Sequence, residues 1–247
     1  MQKLSVVIPA YNEEKTIENG SLSDVWNYLN KQRYDWEIIV VDDTSTDNTL
    51  DLSQTFVKNH KNVIVLKEPH RGKGGSVIAG ILKASGDIII FADMDQATPI
   101  NQIEKLLPKF NEAYDIAIGS RSGREGAPLI RKAMAYGFAM LRNIVLRLPY
   151  KDTQCGFKAF KKDAAKNIFN KMRVVNEKTL KGGASVSAGF DLEVLYIARK
   201  LGYKVAEVPV EWHHKETERI NPIKDSYEGL RDLLKVRINS LLGKYRI

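Results

Sequence analysis

Ile88-Ile89-Ile90-Phe91-Ala92-Asp93-Met94-Asp95 runs five consecutive apolar residues into a pair of carboxylates. An unbroken, β-branched run of that length reads as a strand covered on both faces, the pattern of a parallel sheet. Open parallel sheets bind their ligands beyond the carboxyl ends of the strands, so the acidic pair falls where chemistry is expected. Asp93 and Asp95 stand two residues apart and can approach one hard cation if the chain turns there. Mg²⁺ or Mn²⁺ held by one or two carboxylates, with phosphate oxygens completing the shell, is the matching chemistry. On spacing alone, a solvated turn that caps a helix remains the competing reading.

The same grammar extends upstream. Leu4–Ile8, Glu37–Val41 and Val63–Leu66 read as further strands, and Ile116–Ile118 follows as a fifth. Between them, Ile17–Asn30, Asn48–Val57, Ser76–Ala84 and Ile103–Phe110 carry helical spacing, with Gly20-Ser21 interrupting the first and Asp47 placed to cap the second. Strands alternating with helices indicate an α/β fold, a mainly parallel sheet with helices on both faces. Later, Leu129–Leu148 and Asp191–Lys200 read as helices and Phe157–Phe160 and Val205–Val210 as strands, while Asn176–Ser187 reads as a polar loop. With no internal repeat and no linker-like break, one domain over residues 1–247 is expected. Residues 1–120 form its first half and 121–247 an elaborated second half.

Each early strand ends in a polar cluster. Pro9-Ala10-Tyr11-Asn12-Glu13 follows the first and Asp42-Asp43-Thr44-Ser45-Thr46-Asp47 the second. His70-Arg71-Gly72-Lys73-Gly74-Gly75 follows the third. Asp42-Asp43 is equally a helix cap or an acceptor for ribose and base N–H groups. The glycine-rich stretch precedes a helix, whose N-terminus attracts anions, but it matches neither a P-loop nor a dinucleotide fingerprint, and a mobile basic loop is the alternative.

The chain has 247 residues, 28% of them charged, with a net charge of +8 and a single cysteine. That composition belongs to a globular protein. It excludes a disulfide framework and a zinc site, and it fits a reducing compartment. The apolar N-terminal run is too short for a signal-peptide core, and no stretch approaches the roughly 20 apolar residues of a spanning helix. A cytoplasmic protein, able to lie peripherally on a membrane, is expected. The positive charge is compatible with nucleic acid, anionic lipid or phosphorylated substrates, although acidic strand ends argue against nucleic acid.

Taken in order, Val6-Val7-Ile8-Pro9-Ala10-Tyr11-Asn12-Glu13, Val40-Val41-Asp42-Asp43, Gly72-Lys73-Gly74 and Asp93-Met94-Asp95 resemble the family 2 glycosyltransferases, with their Rossmann-like, GT-A type nucleotide-sugar fold. Gly119-Ser120-Arg121, Asp152-Thr153-Gln154-Cys155-Gly156-Phe157-Lys158, Phe190-Asp191-Leu192-Glu193 and Glu207-Val208-Pro209-Val210-Glu211-Trp212-His213 are similar to the polyprenyl-phosphate sugar synthases, especially those that glucosylate dolichyl phosphate. The resemblance covers nearly the whole chain. Thr44 stands where the family often has glycine, and Arg219 takes the place of a lysine in a loop that here lacks Gly-Ser-Lys.

The resemblance implies a metal-dependent, inverting transfer of a hexose to a polyprenyl (dolichyl) phosphate at the cytoplasmic face of a membrane. Glucose from UDP-glucose is the expected donor; GDP-mannose, or a polysaccharide or glycolipid acceptor, is the alternative. It places Pro9, Ala10, Tyr11, Glu13, Asp42 and Asp43 around the base and ribose, with Gly72, Lys73, Asp93 and Met94 in the same nucleotide-sugar site. Asp93 and Asp95 would hold Mg²⁺ or Mn²⁺. Asp95, Arg121, Arg131 and Asp191 would be catalytic, with Arg121, Arg131 and Arg219 meeting the acceptor phosphate.

Some residues invite sharper readings than they support. Adjacent His213 and His214 would point to opposite faces of a strand and not chelate one ion. Cys155 lacks a nearby base and reads as a packed thiol, and Trp212 as a packing residue. Ile130, Met134, Phe138, Leu141, Val145 and Leu148 form one helical stripe. Ile223, Tyr227, Leu230, Leu234, Ile238 and Leu241 form a second in a C-terminal amphipathic helix. Basic residues surround both, so each stripe faces either the core or an anionic bilayer.

Overall fold

The computed structural model describes residues 2–121, 129–173, 188–213 and 222–247, with residues 129–136, 188 and 222–227 described by their backbone alone. Among these, the strands are β1 (Leu4–Ala10), β2 (Trp36–Asp42), β3 (Val63–Lys67), β4 (Ile88–Phe91), β5 (Ile116–Arg121), β6 (Lys158–Lys161) and β7 (Val205–Val210). The helices are α1 (Glu14–Glu18), α2 (Ser21–Leu29), α3 (Thr49–Asn59), α4 (Gly72–Lys83) and α5 (Ile103–Asn111), then α6 (Leu129–Leu146), α7 (Lys162–Phe169), α8 (Ala188–Lys200) and α9 (Pro222–Leu241).

One sheet holds all seven strands in the order β3-β2-β1-β4-β6-β5-β7. β1 lies parallel to β2 and β4, β2 to β3, and β5 to β7, whereas β6 runs antiparallel to β4 and β5. The expected α/β architecture is therefore present. The alternation of side chains along β1 divides its residues between two cores. Leu4, Val6 and Ile8 join Leu22, Val25 and Leu29 of α2 and Ile103 and Leu106 of α5 on one face. Val7 joins Val77 and Ile81 of α4, Ile168 of α7 and Leu195 of α8 on the other. Burial on both sides explains why β1, β2 and β4 are continuous apolar runs.

Several local expectations change. The segment from Ile17 to Asn30 is two helices, because Gly20 adopts φ +89° between them. Asp47 does not occupy the cap position of α3, which Asn48 holds, yet its Oδ1 accepts the N–H of Thr49 at 3.0 Å. Gly72-Lys73-Gly74-Gly75 is the first turn of α4 and not a loop before it. His213 lies beyond the end of β7, so strand alternation does not govern it, and His214 lies outside the described residues, as does Asn176–Ser187. α7 is a helix that the hydrophobic pattern left unread.

The stripe on α9 is inverted with respect to its core reading. Leu230, Leu234, Ile238 and Leu241 are exposed, whereas Leu233 and Val236 are buried. Buried Asp232 explains part of this: it accepts the N–H of Gly189 at 3.1 Å and lets a polar position face α8.

At the amino ends of the strands, Glu37 clamps β1, β2 and the turn before β4. Its Oε1 accepts from Ser5 Oγ (2.5 Å) and the Ser85 N–H (2.8 Å), and its Oε2 from Lys3 Nζ (3.0 Å). Burial by itself would raise the carboxyl, but these donors outweigh it and hold the pKa at about 2. A folded pKa below the unfolded one gives stability that is complete above the ordinary carboxylate range and is lost as pH falls through the folded value. Glu37→Gln is expected to cost about 1–3 kcal/mol in urea unfolding at pH 7. It should also flatten the decline of stability between about pH 5 and pH 2. Parallel wild-type and variant curves over that range would contradict the clamp.

Candidate active site

Six strands point the same way, so their carboxyl ends share one edge of the sheet. β6 runs the other way, which brings its amino end and the preceding Asp152–Phe157 segment to that same edge. The chain passes from β1 outward through β2 and β3, then returns to the other side of β1 as β4. The crevice between β1 and β4 is the switch point at which sheets of this kind bind ligands.

The loops after β1 and β2 lock together. Ser45 Oγ accepts the Asn12 N–H (3.1 Å), Thr49 Oγ1 accepts the Glu13 N–H (2.7 Å), and Asn12 Oδ1 accepts the Thr46 N–H (2.8 Å). Asn12 and Thr44 pass through positive φ, 54° and 60°, to make these turns. Pro9 and Ala10 lie in β1 itself, and Glu13 accepts from Thr16 Oγ1 at 2.7 Å. Asp42, fully buried, faces the Ser45 N–H at 3.3 Å. Asp43 divides its carboxylate between the N–H groups of Arg71 (2.7 Å) and Gly72 (2.8 Å), and His70 Nδ1 lies 2.8 Å from its Oδ2. It therefore caps α4 from another strand and fixes the glycine-rich turn. Tyr11 lies against His70 with ring centroids 4.6 Å apart and planes tilted by 30°, forming an aromatic wall beside the capped turn.

That capping aims Lys73 at the end of β4, where its ammonium pairs with Asp93. Burial would lower the Lys73 pKa, but Asp93, then Asp191 and Asp95, more than compensate and raise it. Asp93 does so by direct contact, and the other two carboxylates through their charge. Asp95 accepts the Ala97 N–H at 2.9 Å, turning the chain just past the acidic pair, and Met94 is buried between the two aspartates. A second cation sits deeper. Lys158 is fully buried on β6, donates to Asp191 at 2.5 Å and to the Cys155 carbonyl, and lies 5.4 Å from the Phe91 ring centroid. Gly156 approaches so closely that a Cβ there would lie 2.2 Å from Asp93 Oδ2.

Arg121, at the end of β5, is held by Asp152 through Nε (2.6 Å) and Nη2 (2.9 Å). Burial would destabilise both charges. Their contact overrides it, raising the Arg121 pKa and lowering that of Asp152. Glu207 on β7 anchors the same segment by accepting the N–H groups of Lys151 (3.0 Å) and Asp152 (2.7 Å). Trp212 is exposed and its ring lies 5.7 Å from the Arg121 guanidinium, so it is a surface plate and not the packing residue expected. The His213 N–H donates to the Ala97 carbonyl at 2.8 Å and brings this segment beside the Asp95 turn. Cys155 is buried, and burial pushes its thiol up, as a packed thiol requires. Arg131 lies in the backbone-only part of α6, and Arg219 lies outside the described residues.

No cluster of three His, Cys, Asp or Glu side chains suited to a metal occurs among the described residues. Asp93 and Asp95 instead offer two hard carboxylates beside a substrate crevice. That donor set fits a divalent cation whose remaining ligands are phosphate oxygens and water. The sequence reading passed over Lys158, Gly156 and Asp152 as site residues. A lone lysine within Phe157-Lys158-Ala159-Phe160 was the available signal, since a buried ammonium requires a nearby anion.

These features define a GT-A type glycosyltransferase. Residues 5–169 match the family described as Glycosyl transferase family 2, and the chain belongs to it. Within that family it is similar to the dolichyl-phosphate beta-glucosyltransferase of Dictyostelium discoideum, at 33% identity over 99% of this chain and 76% of the relative. The Mus musculus enzyme of the same name is 34% identical over 100% of this chain and 78% of its own. The fold is shared with glucosyl-3-phosphoglycerate synthase from Mycobacterium tuberculosis, crystallised with Mn²⁺, uridine diphosphate and glucosyl-3-phosphoglycerate. That match has a TM-score of 0.63 at 21% identity and covers 95% of this chain and 80% of the synthase.

Two substitutions test the built site. Lys158→Met leaves Asp191 buried without its cation and should cost about 3–5 kcal/mol in urea unfolding. A loss below about 1 kcal/mol would show that the pair is solvated and weak. Gly156→Ala should displace Asp93 and lower sugar transfer at least tenfold while shifting stability much less, because the added methyl meets a mobile carboxylate. Wild-type turnover in Gly156→Ala would remove that contact from the site.

Proposed function

We propose that the protein transfers glucose from UDP-glucose to dolichyl phosphate or a similar polyprenyl phosphate, with inversion at the anomeric carbon. It would work peripherally at the cytoplasmic face of a membrane, where such an acceptor presents its phosphate. The observation that carries this reading is the Lys73–Asp93 ion pair at the end of β4, beside the second carboxylate of Asp95 at the switch point between β1 and β4. The names of the similar enzymes support the sugar and the acceptor, and the synthase that shares the fold was crystallised with uridine diphosphate.

The mechanism follows from charge. A phosphate monoester is already anionic near neutral pH and attacks carbon without a strong general base. The leaving nucleoside diphosphate gains negative charge as the glycosidic bond breaks. Mg²⁺ or Mn²⁺, bound through Asp93 and Asp95 and the diphosphate oxygens, would supply electrostatic stabilisation of that leaving group. Lys73 adds its ammonium at the same place. Tyr11, its neighbour His70 and the turn held by Asp43 bound the nucleotide side of the crevice. Asp191, immobilised by Lys158, presents a carboxylate to the sugar. Arg121, held by Asp152 through Nε and Nη2, is the arginine proposed to meet the acceptor phosphate, a role the family resemblance extends to Arg131 and Arg219. The acceptor attacks opposite the departing diphosphate, so an α-linked donor yields a β-linked product.

The test is a transfer assay with purified protein, short-chain polyprenyl phosphate and a panel of UDP-glucose and GDP-mannose, each with Mg²⁺, Mn²⁺ or chelator. UDP-glucose should be consumed and chelator should abolish transfer. Asp95→Asn and Asp93→Asn should each reduce turnover at least a hundredfold with the fold retained, the scale of losing leaving-group stabilisation. Tyr11→Ala should raise the donor KM, whereas Arg131→Ala should raise the acceptor KM. Preference for GDP-mannose would overturn the donor assignment, and full turnover in chelator would overturn the metal.

A further inference from the structure

A cavity of about 600 Å³ opens among α7, the turn that follows it, the approach to β7 and the segment after α9. That volume suits a small ligand. None of the crevice residues lines it. α8 touches both places. Asp191 meets Lys158 at the crevice, whereas Glu193, about 200° of helical arc further on, accepts the N–H of Arg173, a lining residue, at 2.8 Å.

The lining is strongly basic. Lys166, Lys171, Arg173 and Arg246 stand there against one carboxylate, Asp163. Main-chain carbonyls occupy the first three. Lys166 Nζ donates to Ile81 (2.8 Å), Ala84 (3.0 Å) and Leu82 at the end of α4. Lys171 Nζ donates to the Arg246 carbonyl (3.3 Å), and Arg173 Nη1 to that of Met172 (2.9 Å). Carbonyls accept these hydrogen bonds but bring no net charge, so the positive charge of the lining stays largely uncompensated. Burial and then the Lys162 ammonium push the Lys166 pKa down, with Glu37 offsetting them only in part.

Tyr245 is an independent sign of a ligand. It lines the cavity, it is 3% exposed, and its hydroxyl has no hydrogen-bond partner among the described residues. Burial and then the charge of Glu193 raise its pKa, so the hydroxyl keeps its proton and serves as a donor. A buried donor without an acceptor is costly. Tyr203, also in the lining, accepts from Asn167 Nδ2 at 3.0 Å and keeps its own proton to give. Ammonium, guanidinium and phenol groups together select a ligand rich in anionic acceptors. Guanidinium forks match phosphate oxygens, and several cations call for more than one anionic group.

We infer that this cavity is a second ligand site, which binds a small anion with linked phosphate groups through Lys171, Arg173 and Arg246, with the Tyr245 hydroxyl as a donor. The site is separate from the proposed transfer reaction, and its test does not depend on turnover. Inorganic pyrophosphate is titrated into the full chain by calorimetry, in metal-free buffer at near-physiological salt. Wild-type protein should bind one pyrophosphate at this cavity. Lys171→Gln/Arg173→Gln/Arg246→Gln should weaken that binding about tenfold or more, and Lys73→Met, in the crevice, should leave it unchanged. The three replaced side chains are exposed or half-buried, and the Arg173 main chain keeps its bond to Glu193. Circular dichroism and thermal melting check that each variant is folded.

Tyr245→Phe removes only the hydroxyl. It should weaken pyrophosphate binding about fivefold or more and leave the melting temperature unchanged. A lowered melting temperature with unchanged affinity would tie the hydroxyl to Glu193 and overturn its role as a ligand donor. Water-soluble dihexanoyl phosphatidate separates the two sources of phosphate. Displacement of pyrophosphate by it supports the site as one for a lipid headgroup, and no displacement supports a free phosphate compound. Absent binding to wild-type protein overturns the inference. So does binding that Lys73→Met removes and the triple variant retains, which would place the anion in the crevice. Citrate bound as tightly as pyrophosphate overturns the assignment to phosphate.

Discussion

Carboxylates gathered at the end of a dry parallel sheet repel one another and resist burial. The fold answers with two lysines of different kinds. Lys73 comes from the first turn of α4 and keeps about a quarter of its side chain exposed, so the Lys73–Asp93 pair lies at the rim of the crevice. Lys158 comes from the amino end of β6, is fully buried, and is committed to Asp191 and a main-chain carbonyl. The rim pair can exchange partners when a charged ligand arrives, because water and ligand oxygens reach it. The deep pair cannot, since separating it would leave a charge unpaired at low dielectric. One cation is therefore placed to respond to a ligand and the other to keep a carboxylate in place.

Both lysines depend on backbone geometry set elsewhere. Lys73 points at Asp93 because Asp43, from the end of β2, grips the first N–H groups of α4. A residue that resembles a ligand-binding acid is thus also the clamp that aims a cation. Lys158 reaches the crevice because β6 is antiparallel. A parallel β6 would carry Asp152, Cys155 and Gly156 to the far edge of the sheet. The reversed strand adds the Asp152–Lys158 segment to a site that the second half of the chain also reaches through Arg121 at the end of β5 and Asp191 in α8.

The strands, most helices and the parallel sheet were legible because continuous β-branched runs and helical spacing report burial directly. The positions of the acidic clusters were legible for the same reason: strand ends are easy to find, and the topology gathers them. Partnerships were less so. Asp43 capping a helix 28 residues away, and Lys158 meeting Asp191 across 33 residues, follow from strand order, which local pattern does not encode. The glycine-rich turn was misplaced because three glycines lower helix propensity, and only the distant cap from Asp43 makes a helical start there favourable. α9 misled in a different way. Its most regular apolar stripe points outward, while the inward face includes Asp232 and Asn239, so hydrophobic periodicity identified the helix but not its orientation.

That outward stripe and the inward polar face are linked. Asp232 is buried because it accepts the Gly189 N–H, and a Cβ at position 189 would lie 2.5 Å from its own Cβ. Gly189 therefore allows α8 and α9 to approach closely, and α8 begins with the turn that carries Asp191. The helix with the exposed apolar face is thereby braced against the helix that supplies a carboxylate to the crevice. A surface contact that moved α9 would act on Asp232 and Gly189 before it reached Asp191. Lys158, fixed in the sheet, opposes such a displacement. The geometry thus favours a rigid connection between the outer face and the site over a hinge, because both ends of the first turn of α8 are held by buried polar contacts.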